Sequence, residues 1–264
     1  MRNDAKEGID KERRQVTNRE WRIILRFLYQ HPGVYIGQGT KCRRFIEGVF
    51  WVLRTGAPWR DIPERYGKWD SIYQRFARWC DRGIWAEMFA YFSQDADREW
   101  LIPDGTIIRA HPCAAGAPAM RGGQKSQAFG RSKGGFSTKI HILVDGLGNP
   151  IDFVLTGGHR HDVSQATTLL KGHKGDYVIA DKGYDSDDFI DFIVAEVGAI
   201  PVIPPRSNRT AQREYDKYLY KARHLVECFI NKLKWRRRLF SRFEKLDSRY
   251  LGFLFFASTL VWLC

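Results

Sequence analysis

Four residues near the C-terminus have types and a spacing that could serve a metal site. The segment YKARHLVECFINKLK, residues 220–234, places Tyr220, Arg223, Glu227 and Lys234 at the spacing Y-x2-R-x3-E-x6-K. Steps of three, four and seven residues return to roughly the same face of a helix, so one carboxylate would lie between two cations and an aromatic ring. Such a carboxylate is either a metal ligand or part of an exposed ion-pair face, and the helix alone leaves both interpretations open.

Two further acids stand where strands would place them near Glu227. Asp104 lies in PDGTIIRAH, at a predicted strand, and Asp181 directly follows the predicted strand YVIA. Each alone could be a turn-former. Adjacent central strands can, however, hold two carboxylates together, and a helix packed over the sheet can deliver the third. Three clustered carboxylates repel one another without a cation, so the set predicts a divalent metal, with Mg²⁺ favoured over zinc by its oxygen ligands.

The elements that must position these acids follow from the apolar pattern. Helical periodicity before Trp100 gives way to short strands separated by glycine-containing turns. We predict a polar tail at 1–17, a helical domain at 18–97 and a catalytic domain at 98–264. In the last domain three strands precede an alternation of helix, strand, helix, strand and helix. That order predicts an α/β fold, a mixed sheet with helices on its faces.

The charge distribution indicates the partner. The chain has 43 Lys and Arg against 30 Asp and Glu, a net charge of +13. Such an excess favours a polyanion, most simply nucleic acid, although membrane surfaces attract the same charge. No Asp or Glu occurs between Asp104 and Asp145, and a second basic cluster follows Glu227, so phosphate contact is favoured over a solubilising surface. The basic residues concerned are Arg109, Arg121, Lys125, Arg131, Lys133, Lys139, Lys232, Lys234, Arg236, Arg237 and Arg238.

The helical domain has two interpretations. Residues 68–82 could be the groove helix of a helix-turn-helix DNA-binding domain, or one helix of a plain bundle with a basic face. Among the tryptophans, Trp235 within KWRRR is the best candidate for stacking on a flipped base, whereas Trp59 and Trp69 are expected in the core.

Other features narrow the class of protein. Five scattered cysteines with no C-x2-C pair suit a reducing cytoplasm, and the polar start MRNDAKEGIDKERR shows no secretory signal. The final YLGFLFFASTLVWLC is shorter than the roughly 20 residues that cross a bilayer, so it predicts a buried helix. In GGHRHDVSQA, His159, His161 and Asp162 could bind zinc but lack further ligands nearby in sequence, which favours a structural or DNA-contacting role.

Seven segments occur in an order that identifies a family. They are RTGAPWRDIPERYGKWDSIYQRFARW, DGTIIRAH, AAGA, GRSKGGFSTKIH, ADKGYDS, IPPRSN and YKARHLVECFINKLKWRRRL. Together they resemble bacterial insertion-sequence transposases of the DDE type, most closely the insertion sequence five family with its Y-x2-R-x3-E-x6-K signature. The resemblance covers nearly the whole chain from about residue 40 onward. One departure is Cys113, where relatives usually carry a second His, which puts any role of that loop in doubt.

The resemblance implies a ribonuclease H-like catalytic domain in which Asp104, Asp181 and Glu227 are the catalytic, metal-binding acids. It implies an enzyme, a DNA transposase that cuts element ends and joins the freed 3′-hydroxyl to target DNA. The cofactor would be Mg²⁺, for which Mn²⁺ substitutes, with two ions serving both phosphoryl transfers. Two alternatives stay open: a metal-dependent nuclease that never joins strands, and a domesticated DNA-binding regulator.

The expected partner is double-stranded DNA, both the terminal inverted repeats and the target. Two element ends suggest a homodimer or larger assembly on DNA, in the bacterial cytoplasm with the nucleoid and away from any membrane. The signature and the basic clusters together give the residues expected to contact DNA, which are Tyr220, Arg223, Lys234, Arg236, Arg237, Arg238, Arg131, Lys133 and Lys139.

Overall fold

The computed structural model of the chain describes residues 16–132, 135–210 and 212–264. Its contacts form two compact units. The first comprises the chain up to Phe92 together with Trp235–Leu239 and Ser248–Cys264, and the second comprises Ser93–Lys234 and Phe240–Asp247. Asp104, Asp181 and Glu227 all belong to the second unit.

The helices and strands alternate in the second half of the chain much as the apolar pattern predicts. In chain order they are α1 (Asn18–Gln30), α2 (Gly39–Thr55), α3 (Trp69–Asp81), α4 (Ile84–Phe92), β1 (Trp100–Ala110), β2 (Gly130–Ser132), β3 (Gly135–Val144), β4 (Pro150–Gly157), α5 (Val163–Leu170), β5 (Tyr177–Ile179), α6 (Asp187–Phe192), β6 (Ile200–Val202), α7 (His224–Lys234), α8 (Arg237–Phe240), β7 (Ser241–Arg242) and α9 (Asp247–Trp262).

A capping box fixes the start of α1. The backbone N–H of Glu20 donates to Thr17 Oγ1 at 3.2 Å, and the N–H of Thr17 donates to Glu20 Oε2 at 2.6 Å. These two bonds satisfy amide groups that the first turn of a helix leaves without partners. Val16, just before the cap, is buried. Residues 1–15 of the predicted polar tail lie outside the described residues.

Aromatic side chains build the core of the first unit. Phe253 of α9 lies 4.5 Å from Phe76 and 5.6 Å from Trp59, centroid to centroid, and Phe256 lies 5.0 Å from Trp85. Large rings bury much area and contribute strongly to packing. The apolar C-terminal segment is therefore a buried helix, as its length predicts. This packing places α9 with the N-terminal helices, whereas the predicted boundaries assigned it to the catalytic domain.

No helix in the described part of the chain is both long and apolar enough to cross a membrane.

The second unit is organised by a seven-stranded mixed sheet with the order β2-β3-β1-β5-β6, in which β4 also pairs with β3 and β7 with β1. Strands β1, β3 and β4 are antiparallel neighbours, whereas β5 runs parallel to β1 and β6 parallel to β5. β1 is therefore the central strand at which the antiparallel and parallel halves meet. The expected α/β class is confirmed.

Strand alternation assigns the side chains of β1 to two faces. In the β1–β3 register Asp104 is opposite Ile142, and Gly105 is opposite His141. Because successive side chains point to opposite faces, Asp104 and Gly105 belong to different faces of the sheet. Ile142 is opposite Phe153 of β4, whose ring lies 6.1 Å from Phe229, so α7 covers the Asp104 face. The Gly105 face carries the apolar cluster that includes α5 and α6.

The glycine- and alanine-rich connection after β1 contains short turns held by two glutamines. Gln124 Oε1 accepts hydrogen bonds from the N–H groups of Gly116 at 2.7 Å and Ala117 at 3.2 Å. Gln127 Nε2 donates to the carbonyl of Arg121 at 2.7 Å, and its Oε1 accepts from the N–H of Asp247 at 2.9 Å. These bonds order backbone that has no apolar periodicity, which is why the sequence pattern shows no element there.

Candidate active site

The central strand positions the first acid. Asp104 is half-buried in β1, and its Oδ1 accepts a hydrogen bond from the N–H of Gly105 at 2.8 Å. Burial raises the pKa of this carboxyl, the Gly105 hydrogen bond and the nearby charge of Arg223 lower it, and the charges of Asp181 and Asp162 raise it again. The net direction is upward, because desolvation and like charges both disfavour the ionised form. Asp104 therefore lies among other carboxylates and gains from a positive counter-charge.

Asp181 lies at the end of the strand beside β1. It begins the 3₁₀-helix Lys182–Tyr184 just after β5, and its Oδ1 accepts from the N–H of Gly183 at 2.7 Å. β5 pairs with β1 through Trp100 and Tyr177. Side chains alternate between the two faces along each strand, so counting from that pair assigns Asp104 and Asp181 to the same face of the sheet. Their mutual charge effect on the pKa of Asp104 agrees with this proximity.

Arg223 joins the first acid to the third. Its Nη1 lies 3.3 Å from Asp104 Oδ2, and its Nη2 forms an ion pair with Glu227, four residues later. The structure thus brings together Asp104, Arg223 and Glu227 from elements more than a hundred residues apart in sequence. The positive charge of Arg223 therefore offsets the negative charges of Asp104 and Glu227 on the Asp104 face.

The predicted signature helix is divided into two kinds of helix. Tyr220 and Arg223 lie in the 3₁₀-helix Leu219–Arg223, and α7 begins at His224. The Tyr220 ring packs edge-on against Tyr215 at 5.6 Å. Lys234 is half-buried in the last turn of α7, and Glu227 is exposed. The i,i+4 relation of Arg223 and Glu227 survives the change of helix type.

The donor chemistry of this cluster suits a hard cation, since carboxylate oxygens are the ligands that Mg²⁺ prefers. In the described residues, however, no three His, Cys, Asp or Glu side chains converge closely enough to hold one ion. Between Asp104 and Glu227 the guanidinium of Arg223 supplies the positive charge. The arrangement fits a metal site in which a cation and Arg223 compete for the same carboxylates.

A polar cluster on the Gly105 face escaped the sequence analysis. Asp162 Oδ2 lies 2.6 Å from Lys139 Nζ, and Asp162 Oδ1 lies 3.2 Å from His141 Nδ1. His141 Nε2 is also 2.8 Å from Thr156 Oγ1. Burial alone would raise the pKa of Asp162, but its contacts with His141 and Lys139 and the charges of those residues outweigh burial and lower that pKa. The strand segment KIH could have indicated this cluster. Lys139 and His141 alternate along a central strand, and buried polar side chains need partners inside the fold.

Gly105 provides the room for this cluster. A Cβ added to it would lie 2.0 Å from Asp162 Oδ1, 2.9 Å from Asp162 Cγ and 3.0 Å from Lys139 Cε. Real Cβ atoms do not approach side chains so closely, so Asp162 packs directly on the backbone of β1 next to Asp104. An Asp-Gly pair is typical of a turn. Here it lies within a strand, and the glycine is needed because Asp162 packs against it.

The basic residues expected to contact DNA fall into different environments. Lys139 and Arg238 are buried: the Lys139 side chain is 11% exposed and paired with Asp162, and Arg238 donates to the carbonyls of Gly56 and Ala57. Both charges are thus paired with interior partners, and the expected contact of these two residues with DNA stays a prediction. Arg236 is half-buried over the Phe50 ring, at 5.1 Å from its centroid.

Other expected contacts remain accessible. Arg237 and Arg131 are exposed, and Arg131 lies over the Phe136 ring at 5.1 Å. Trp235 is 74% exposed, which is compatible with stacking, whereas Trp59 packs in the core of the first unit. Lys133 lies outside the described residues.

Hydrogen bonds and ion pairs hold the segment after β6 close to the turn at Asp181. Asp185, whose side chain is 2% exposed, accepts from the N–H of Arg206 at 2.8 Å, from Arg209 Nε at 2.9 Å and from Arg213 Nη1 at 2.8 Å. Arg206 Nη2 also donates to the carbonyl of Gly183 at 2.8 Å. The sequence motifs DSDD and PPRSNR contain Asp185, Arg206 and Arg209, but their pairing needs the parallel β5–β6 neighbourhood. Three arginines thus lie close to the turn that holds Asp181.

We expect Asp185→Asn to loosen this segment at neutral pH. Burial would raise the pKa of Asp185, but the hydrogen bonds from Arg206 and Arg209 outweigh it and lower the pKa. The contribution to stability is therefore present above the ordinary Asp pKa and lost as pH falls through the lowered value. Amide hydrogen exchange at Arg206 should quicken on the order of tenfold in the variant. Asp191→Ala, an exposed acid of α6, is the control, and equal exchange rates would contradict the anchoring.

Family models match the chain in two parts. Residues 95–262 match the model described as "Transposase DDE domain", and residues 16–89 match "Putative transposase of IS4/5 family".

Curated relatives agree with these models. A Brucella ovis protein described as "Putative transposase for insertion sequence element IS6501" is 41% identical over 128 residues, 48% of this chain and 98% of that protein. A Burkholderia cepacia protein described as "Putative transposase for insertion sequence element IS402" is 33% identical over 129 residues, 44% of this chain and 58% of that protein.

Solved structures show only distant similarity. The piggyBac transposase in a synaptic complex with hairpin DNA has a TM-score of 0.40 and 14% identity, covering 75% of this chain and 48% of that chain. This protein thus spans about half the length of the piggyBac chain. The Mos1 transposase in a paired-end complex has a TM-score of 0.27 and 10% identity, with 87% of each chain covered.

The DDE-domain model covers well over half of the chain, including all three acids and the residues that surround them. The resemblance read from the seven motifs is thereby confirmed: the protein belongs to the DDE transposase family of insertion sequences, a family of DNA-cleaving and DNA-joining enzymes.

Proposed function

We propose that this transposase cuts the ends of its element and joins the 3′-hydroxyl to target DNA at a divalent-metal site formed by Asp104, Asp181 and Glu227. The observation that carries the proposal is the bridge of Arg223 between Asp104 and Glu227, with Asp181 on the same face. Asp104 of a central strand and Glu227 of a helix are joined there by one arginine, and Asp181 lies at the end of the neighbouring strand.

The topology supports a ribonuclease H-like catalytic domain. Three antiparallel strands, β4, β3 and β1, continue into the parallel strands β5 and β6. The first acid lies on the central strand, the second at the end of its parallel neighbour and the third on a helix over the same face. This is the arrangement that the motif resemblance implies.

The chain's own residues suggest how a cation would be held. Mg²⁺, or Mn²⁺ in its place, would take oxygen ligands from the three acids, and a pair of such ions would activate the attacking oxygen and stabilise the leaving one. Arg223 would then release the carboxylates and turn toward the phosphate, since a guanidinium binds phosphate as readily as carboxylate. Before binding, Arg223 keeps the acids from repelling one another.

DNA is the proposed partner, and exposed basic and aromatic groups are its proposed contacts. The exposure of Arg131 and Arg237 supports this role, and so does the position of Tyr220 and Lys234 on the helices that carry Arg223 and Glu227. The proposal includes binding of terminal repeats and target DNA by a dimer or larger assembly, in the bacterial cytoplasm with the nucleoid.

A strand-transfer assay tests this function. The full chain is incubated with Mg²⁺, a pre-cut duplex bearing the element end, and a plasmid target. Joined product is the expected result. Hydrolysed strands without joining would instead assign the protein to nucleases, and DNA binding without either product would assign it to DNA-binding regulators.

Lys234→Ala should weaken DNA binding in a salt-dependent way. Each phosphate contact that is lost lowers the slope of log affinity against log salt by about 0.9. Lys171→Ala is the matched control, because Lys171 is exposed and follows α5 on the opposite face of the sheet. Fluorescence anisotropy over a salt series measures the slope. A slope equal to that of the unmodified protein would show that Lys234 makes no contact with a DNA phosphate.

A further inference from the structure

Tyr184 carries a buried hydroxyl behind the acids. It closes the 3₁₀-helix that begins at Asp181, its residue is 2% exposed, and its ring packs near Phe189 at 5.9 Å. Among the described residues this hydroxyl has no hydrogen-bond partner. A buried hydroxyl without a partner costs free energy, so phenylalanine would serve better if packing were its whole role.

Asp162 presents a matching acceptor. Its Oδ2 is held by Lys139, whereas its Oδ1 is buried and, although His141 Nδ1 lies 3.2 Å away, lacks a well-formed hydrogen bond. Burial and then the charge of Asp162, ahead of those of Asp104 and Asp181, raise the pKa of Tyr184. The 3₁₀-helix that ends at Tyr184 packs against α5, which begins directly after Asp162, so a donor and an acceptor that each lack a partner lie on neighbouring elements.

The contact of Asp162 with Gly105 links this pair to the first acid. Asp162 Oδ1 lies 2.0 Å from the position that a Gly105 Cβ would take. The N–H of the same Gly105 donates to Asp104 Oδ1 at 2.8 Å. A displacement of Asp162 would therefore change the packing of the Gly105 peptide group, whose N–H orients the Asp104 carboxylate.

We propose that Tyr184 is a positioning residue of the acid site, donating a hydrogen bond to Asp162 Oδ1 that holds Asp162 against Gly105 and so fixes Asp104. This inference rests on the proposed metal site. A divalent cation that needs Asp104 in one orientation selects the conformation in which this bond is made. The bond therefore contributes to cation affinity rather than to the stability of the metal-free fold.

The test compares Mn²⁺ affinity with metal-free stability in the full chain. Mn²⁺ alone is titrated and the free ion is followed by electron paramagnetic resonance, and thermal unfolding is recorded without metal. We expect Tyr184→Phe to bind Mn²⁺ on the order of tenfold more weakly, as for a hydrogen bond to a charged group. Its unfolding midpoint should be unchanged or higher, because an unsatisfied hydroxyl is removed.

A matched tyrosine and a double variant separate positioning from packing. Tyr250 is buried too, and its hydroxyl donates to the carbonyl of Leu239 at 2.8 Å. Tyr250→Phe should lower the unfolding midpoint and leave Mn²⁺ affinity unchanged. If Tyr184 acts through Asp162, the double variant Tyr184→Phe with Asp162→Asn should bind Mn²⁺ no more weakly than Asp162→Asn alone.

The outcomes distinguish this inference from the function on which it rests. Unchanged Mn²⁺ affinity in Tyr184→Phe, beside a loss of binding in Asp104→Asn, would overturn the role of Tyr184 and leave the metal site standing. Additive losses in the double variant would also overturn it. Absence of Mn²⁺ binding by the unmodified protein would overturn both proposals together.

Discussion

Asp181→Ala is expected to abolish magnesium-dependent strand cleavage while leaving DNA binding nearly unchanged. The variant removes one carboxylate from the Asp104 face, and under the proposed metal site a cation that lost this ligand would no longer stabilise the charge that develops on the phosphate. Since that stabilisation amounts to several kcal/mol, the rate should fall roughly a thousandfold or more. The side chain is at a strand end and half-buried, so the fold should tolerate its truncation.

Two measurements on the same preparations check this result. Cleavage of a duplex carrying the element end is followed in Mg²⁺, and DNA affinity is measured by fluorescence anisotropy. Asp191→Ala, which truncates an exposed acid of α6, should retain both activities. Cleavage by Asp181→Ala at the unmodified rate would show that Asp181 is not a catalytic acid.

Gly105→Ala is expected to destabilise the fold and the acid site through a single methyl group. The new Cβ would lie 2.0 Å from Asp162 Oδ1 and 3.0 Å from Lys139 Cε. Neither neighbour can move without cost, because each is held by the other in a partly buried ion pair. Overpacking of this kind costs about 1–3 kcal/mol of unfolding free energy. Displacement of Asp162 should also weaken cation binding at Asp104.

Urea denaturation and Mn²⁺ titration measure the two effects. Gly39→Ala is a suitable control, because its added Cβ would meet no atom within 4 Å and its backbone is not in the left-handed region. At such a position alanine is neutral or slightly stabilising, since it restricts the unfolded chain. An unfolding free energy for Gly105→Ala equal to that of the unmodified protein would show that Asp162 moves aside freely.

Several features of the second unit could be predicted from local sequence. Strand-length apolar runs predicted the strands that carry Asp104 and precede Asp181, because strand formation follows short-range pattern. The spacing of Arg223 and Glu227 predicted their contact, since i,i+4 residues are neighbours on an α-helix. The apolar C-terminus predicted a buried helix. Its place with the N-terminal helices depends on aromatic contacts with residues such as Phe76, nearly two hundred positions earlier.

The environments of the basic residues could not be predicted from the sequence. Lys139 and Arg238 belong to clusters that are typical of phosphate contacts, yet the fold buries both among interior acceptors. A charge is stable inside a protein only when partners surround it, and those partners come from distant segments. A prediction from composition treats such a residue as available to DNA, although its charge is already neutralised by an interior partner.

By itself the sequence determined the family, the α/β class and the types of residue at the candidate site, because motif order and apolar period are properties of the chain. Tertiary structure alone decided which charges from distant segments meet. It placed Arg223 between Asp104 and Glu227, and packed Asp162 on Gly105 behind them. The physical reason is that electrostatic partnership depends on distance and burial, which strand pairing across long stretches of sequence sets and spacing along the chain does not.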